Sequence, residues 1–142
     1  MGKTRKIVAG VLAVVAVGVL FGIVWPTFSL FRSFDHLEQN ARKRMSGSEL
    51  QAWALGLLSQ YPTETNFWSG RLGTNFPLRS LYHVPAYVGV HEATSNSPPY
   101  VFLMWGGGFI GHCGFEIGPT NFVSYRPGHK WQEGVYFWKD QQ

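Results

Sequence analysis

The sequence contains one cysteine, Cys113, and few charged side chains. A single cysteine excludes an intrachain disulfide, so disulfide bonds give no indication of the cellular compartment. Cys113 also lies too far downstream to be a lipoprotein anchor. Lys6 stands where the myristoylation pattern requires Ser or Thr. Charged residues make up 14% of the chain, against roughly 25% in ordinary soluble domains. With 142 residues, the chain has room for one small domain beside a targeting segment.

The chain also lacks a basic stripe, although its formal net charge is +4. Lys3, Arg5 and Lys6 lie in the N-terminal flank, residues 1–6. Residues 26–142 hold nine basic side chains against all eight acidic ones, and three of the basic ones are consecutive at 42–44. A nucleic-acid partner is therefore excluded, because such a protein carries a basic stripe across its folded domain.

An uncharged run, IVAGVLAVVAVGVLFGIVW, occupies residues 7–25. A helix of this length spans roughly 28 Å, close to the hydrocarbon thickness of a bilayer. Trp25 has the place of an interfacial aromatic residue, and Pro26 ends the helix. The run exceeds the roughly 7–15 apolar residues of a cleaved signal peptide, and no A-x-A-like site follows it. We predict a single transmembrane signal anchor over 7–25, with a cleaved signal peptide as the alternative.

The basic residues before this run predict its orientation. Within 15 residues after it only Arg32 is basic, so the N-terminus is expected in the cytoplasm and the C-terminal domain on the exoplasmic or periplasmic side of the cell (inner) membrane. Gly18 and Gly22 form a GxxxG pair, a spacing that lets two membrane helices pack closely. These two glycines are the candidate contacts between helices in the membrane.

Two amphipathic helices are predicted next. Residues 26–45 carry apolar side chains at helical spacing and are expected to form a juxtamembrane helix, either along the interface or as a stalk. Ser46 and Glu49 then match a capping box. The helix that follows has one broad apolar face and ends at Pro62. It is predicted to belong to a small α+β domain, residues 46–142.

Four strands are predicted in this domain, at 86–92, 100–105, 111–117 and 134–138, whereas residues 63–77 are interpreted as a loop. The links between the first three strands are too short for crossover helices, so the sheet should be antiparallel. The predicted fold class is α+β, with a single N-terminal transmembrane helix. One or two amphipathic helices then pack on a roughly four-stranded antiparallel sheet.

Alternation along these strands assigns two sheet faces. One face is apolar and is expected to contact the helix; it includes Val88, Val90, Cys113, Phe115, Ile117, Val135 and Phe137. The other is rich in aromatic residues, which suit protein interfaces and also stacking on sugar rings. The candidate interaction face consists of Tyr87, His91, His112, Glu116, Tyr136 and Trp138.

The stretch MWGGGFIGHCG, residues 104–114, contains the pattern G-x-G-x-x-G from Gly106. Strand-like alternation resumes after it where a dinucleotide fingerprint needs a helix, so a hairpin loop is predicted. His112 and Cys113 point to opposite faces of a strand and therefore form no thiolate–imidazole pair. Cys113 is predicted to be a buried structural thiol.

His91, His112 and Glu116 are a ligand set for a metal or acid–base site if the fold brings them together. No spacing in the sequence requires that they converge, so the alternative is a polar sheet face with scattered histidines. No metal or cofactor is expected.

The segments GGGFIGHCGFEIGPTNF (106–122) and KWQEGVYFW (130–138) carry a pattern GGGF-x-x-H-x-G…GP-x-x-F…GVYF. It resembles small uncharacterised bacterial membrane-anchored proteins without an established activity. The resemblance rests on these two segments of the chain. It implies a bacterial origin and a small α+β domain, and it assigns no catalytic residue.

The sequence predicts a non-enzymatic membrane protein, since no complete catalytic motif is found. Its expected partners are the lipid bilayer and either other membrane-protein subunits or a second copy. The first hypothesis is an accessory or structural subunit that docks through its membrane helix and aromatic sheet face. The second is a membrane-anchored glycan or cell-wall binder, and the third is a hydrolase or metal enzyme built on His91, His112 and Glu116.

Overall fold

The computed structural model describes residues 2–24, 36–81, 86–106 and 111–140. The chain divides into two compact units, residues 1–35 and residues 36–142. Each unit is described by itself.

The first unit contains helix α1 (Gly2–Val19), which continues as a π-helical segment, Leu20–Val24. Among the described residues, none of the helices combines the length and the apolar character that crossing a membrane requires. The structure therefore does not show the single transmembrane helix of the predicted fold class. The sequence of α1 includes the three basic residues of the N-terminal flank, and regular α-helix ends at Val19. The uncharged run within α1 is residues 7–19, and it rises roughly 20 Å.

Gly18 lies in α1, whereas Gly22 lies in the π-helical segment. A π-helix closes i→i+5 hydrogen bonds, so these two glycines do not share one face of a regular α-helix. A β-carbon added at either position would meet no atom within 4 Å. The predicted packing of two helices through this pair stays a prediction.

The second unit begins with helices α2 (Leu37–Arg44) and α3 (Gly47–Gln60). The helix predicted over 26–45 is thus observed only as α2, and residues 25–35 lie outside the described residues. The predicted capping box is confirmed. The Ser46 hydroxyl accepts a bond from the Glu49 amide at 3.2 Å, and the Glu49 carboxylate accepts one from the Ser46 amide at 2.7 Å. The Ser46 amide and the Ser46 hydroxyl both donate to the Glu49 carboxylate, and these two bonds lower the pKa of the Glu49 carboxyl.

The described residues form one antiparallel sheet of six strands in the order β1-β2-β3-β4-β6-β5. The strands are β1 (Thr65–Trp68), β2 (Tyr87–His91), β3 (Tyr100–Gly106), β4 (His112–Ile117), β5 (Gly128–Gln132) and β6 (Val135–Lys139). The expected sheet of roughly four strands is wrong, because β1 lies in the predicted loop 63–77 and β5 lies outside the four predicted strands. These two are the edge strands, so each pairs on one side only within the sheet and needs less apolar sequence. Short 3-10 helices, Ser69–Asn75 and Arg79–Leu81, follow β1.

The core lies between the helices and one face of the sheet. Val88, Leu103, Phe115 and Phe137 form one row across β2, β3, β4 and β6, and all four are buried. Helix α3 packs on this face and buries Leu50, Ala54 and Leu57, while α2 buries Leu37 and Ala41. Cys113 lies on the same face and is 2% exposed, as predicted for a structural thiol.

Candidate functional site

The face of the sheet opposite the helices contains all six residues of the candidate interaction face. Two cross-strand rows define it, as the strand register shows. One row runs Asn66, Gly89, Phe102, Glu116, Tyr136; the next runs Trp68, Tyr87, Met104, Gly114, Trp138. His91 and His112 extend the face beyond these rows.

Residues 119–127, here termed the covering segment, lie across much of this face. Phe122 is 1% exposed; its ring lies 4.8 Å from that of Tyr100 and 5.9 Å from that of Tyr136. Ser124 and Arg126 also reach the face, whereas Val123 is exposed. Side chains of the covering segment therefore occupy part of the face that was expected to be available to a partner.

Glu116 holds the covering segment in place. Its carboxylate is 4% exposed, accepts a bond from Arg126 Nε at 3.1 Å and accepts a second from the Ser124 hydroxyl. The Arg126 guanidinium lies over the rings of Phe102 and Trp138, at 4.9 and 4.7 Å from their centres. Burial of a carboxylate is costly unless charge and hydrogen bonds compensate it, and this arrangement supplies both.

Trp138 lies opposite Gly114, its cross-strand neighbour on β4. Its ring stacks on Phe102 with centres 5.0 Å apart, and the residue is 2% exposed. Within the described structure, the indole N–H finds no acceptor. Glu116 and Trp138 are therefore buried, and a partner cannot contact them while the covering segment is in place.

The two histidines of the face belong to separate pairs. His112 Nδ1 lies 2.8 Å from a carboxylate oxygen of Asp140. His91 stacks on Tyr100 with ring centres 4.6 Å apart, and its Nδ1 is 3.9 Å from Glu64 Oε1. Neither pair includes Glu116, and the described residues contain no group of three His, Cys, Asp or Glu side chains able to hold a metal ion.

The charges of Glu116 and Arg126 act on the Tyr100 side chain. Burial raises the pKa of its phenol, the negative charge of Glu116 raises it further, and Arg126 opposes the shift. The phenol therefore stays neutral at physiological pH and serves as a stacking surface for His91 and Phe122.

The glycine-rich stretch joins β3 to β4, and residues 107–110 lie outside the described residues. Gly106 and Gly111, which flank it, have φ angles of 107° and 75°, in the region that favours glycine. The next element is the strand β4, paired antiparallel with β3, so the predicted hairpin is confirmed. A dinucleotide site would need a helix N-terminus here.

One end of the face is open. Trp68 on β1 is 60% exposed, and its ring contacts that of Tyr87 edge-to-face at 5.9 Å. Met104 continues the row and is half-buried. We call Trp68, Tyr87 and Met104 the aromatic row. Trp68 is absent from the predicted interaction face because it falls in the predicted loop 63–77, whereas the structure places Phe67 and Trp68 at the end of the short strand β1.

No protein-family model, curated protein or solved structure matches this chain. The resemblance to small bacterial membrane-anchored proteins stays a prediction from the residues that carry it.

Proposed function

We propose that the sheet domain is a non-enzymatic docking module, an accessory subunit that binds another protein subunit through the aromatic row. The observation that carries the proposal is Trp68, a large apolar side chain that is 60% exposed on the edge strand β1. Trp and Tyr dominate the binding energy of protein interfaces because each combines a large apolar area with a polar group.

The composition of the row favours a protein partner. Met104 continues it, and Met is enriched with Trp and Tyr in protein interfaces. The row begins on β1, an edge strand of the sheet, whose outer side offers backbone groups to a partner segment. His112, which lies on the same face as the row, is bonded to Asp140, whereas a sugar ligand needs polar side chains directed at its hydroxyl groups.

The ionisable groups of the same face support binding over catalysis. Glu116 is engaged by Ser124 and Arg126, and His112 by Asp140. Cys113 faces the opposite side of the sheet, in the core. A nucleophile needs a base within hydrogen-bond reach, and the buried thiol does not share a face with either histidine.

The test compares two single variants of the full chain. Trp68→Ala removes the exposed ring, and Leu55→Ala removes an exposed apolar side chain, 41% accessible, from helix α3 on the other side of the domain. Each is isolated from native membranes in mild detergent, and the stoichiometry of comigrating proteins is measured. We expect Trp68→Ala to weaken association about 30-fold, the loss of an interface hot spot of about 2 kcal/mol, and Leu55→Ala to leave it unchanged.

Equal retention of the partner by both variants would contradict the assignment of the aromatic row. Quenching of tryptophan fluorescence by soluble cell-wall fragments, lost in Trp68→Ala, would instead support the glycan-binding alternative. The membrane location remains a prediction from residues 7–25 alone.

A further inference from the structure

A basic cluster lies at the C-terminal end of α2, away from the aromatic row in sequence. Arg44 Nη1 donates to the hydroxyl of Ser80, which joins the end of α2 to the 3-10 helix Arg79–Leu81. Lys43 and Arg79 are the sequence neighbours of these two residues, and both are exposed. We call Lys43, Arg44 and Arg79 the basic corner.

Among the described residues of the second unit, no carboxylate forms an ion pair with the basic corner. Arg42, in contrast, bonds Glu38 at 2.7 Å and lies over the Trp131 ring. Lys43 and Arg79 have no carboxylate partner in the part of the chain that the structure describes, and Arg44 bonds only the neutral Ser80 hydroxyl.

The carboxylates of the second unit are committed elsewhere. Each side-chain carboxylate in residues 36–140 accepts a hydrogen bond or forms an ion pair within the domain. These are Glu38, Glu49, Glu64, Glu92, Glu116, Glu133 and Asp140. The charge left for an external partner at this corner is therefore positive. The negative end of the α2 dipole accounts for a preference for basic residues in its last turn, but Arg79 comes from a different element.

We propose that the basic corner docks the domain on an anionic lipid surface. Charge complementarity requires an anionic partner. Exposed apolar side chains elsewhere in the chain favour a lipid surface over an acidic protein as that partner. The apolar side chains of the first unit are exposed, among them Val14 at 73% and Phe21 at 67%. A bilayer offers these side chains an apolar environment and offers the basic corner its headgroup charge.

The experiment measures binding of the full chain to vesicles of phosphatidylcholine alone and to vesicles with an equal share of phosphatidylglycerol, over a range of salt concentrations. The first unit is the same in every variant, so its contribution cancels. Lys43→Gln/Arg79→Gln is compared with Lys130→Gln/Lys139→Gln, an exposed pair of β5 and β6 with the same change in charge. Circular dichroism checks that both variants fold.

We expect the unmodified chain to prefer the anionic vesicles and to lose that preference as salt rises. Each basic residue near such a surface strengthens binding roughly fivefold, so Lys43→Gln/Arg79→Gln should lose about 25-fold and the control less than about twofold. Equal losses in the two variants would overturn the proposal, since they would show a general effect of net charge. Equal affinity for both vesicle types, or binding to polyglutamate in place of vesicles, would overturn it as well.

Discussion

Glu116 and Arg126 form an ion pair at 3.1 Å on the face of the sheet opposite the helices, ten residues apart in sequence. The carboxylate is almost fully buried, whereas the guanidinium is half exposed above two stacked rings. Because the pair joins β4 to the covering segment, it decides which part of the aromatic face a partner can reach. The aromatic row lies beyond the segment and stays open.

We expect Arg126→Ala to lower the free energy of unfolding by about 2 kcal/mol, because it leaves the buried Glu116 carboxylate without its charged donor. Urea unfolding followed by tryptophan fluorescence measures the change. Adding Glu116→Gln should cost less than the sum of the two single changes, since the two side chains are coupled.

Lys130→Ala is the control for this prediction. Its ion pair with Glu133 is exposed, and pairs of that kind contribute little. The same shift of the urea midpoint in Arg126→Ala and Lys130→Ala would show that the ion pair between Glu116 and Arg126 does not stabilise the fold.

A second prediction concerns Gly114, beside Trp138. A β-carbon at this position would lie 1.8 Å from the carbonyl oxygen of Leu103 on the neighbouring strand, so Gly114→Ala must displace backbone. We expect a loss of about 3 kcal/mol or more. Gly56 in helix α3 is the matched control, because a β-carbon there meets nothing within 4 Å. Gly56→Ala should stabilise the domain by about 0.5–1 kcal/mol.

Thermal unfolding of the two glycine variants tests this prediction, since the midpoint should fall in Gly114→Ala and rise in Gly56→Ala. A Gly114→Ala variant as stable as the unmodified chain would contradict the close approach of β3 and β4 at this position.

A third prediction follows from the raised pKa of Tyr100. The folded state holds the protonated phenol more tightly than the unfolded state does. The stability that this contributes is complete below the ordinary tyrosine pKa and is lost as the pH rises through the higher folded value. Alkaline titration followed by phenolate absorbance should show one phenol ionising late, and Tyr100→Phe should remove that step. An unchanged titration curve in Tyr100→Phe would show that its burial and the Glu116 charge do not act as the geometry indicates.

Local patterns in the sequence determined much of the second unit. Ser46 and Glu49 predict the start of α3 because a capping box needs only neighbouring residues. Alternation along β4 placed Cys113 in the core and His112 on the other face, since side chains on a strand point to opposite sides.

Only the tertiary structure decided the rest. The edge strands β1 and β5 depend on pairing with distant partners, which outweighs the weak local signal of a short, half-exposed strand. The position of Glu116 beneath Arg126 depends on the path of the covering segment over the sheet. That path exposes Trp68 and buries Trp138, a difference that alternation within each strand does not determine.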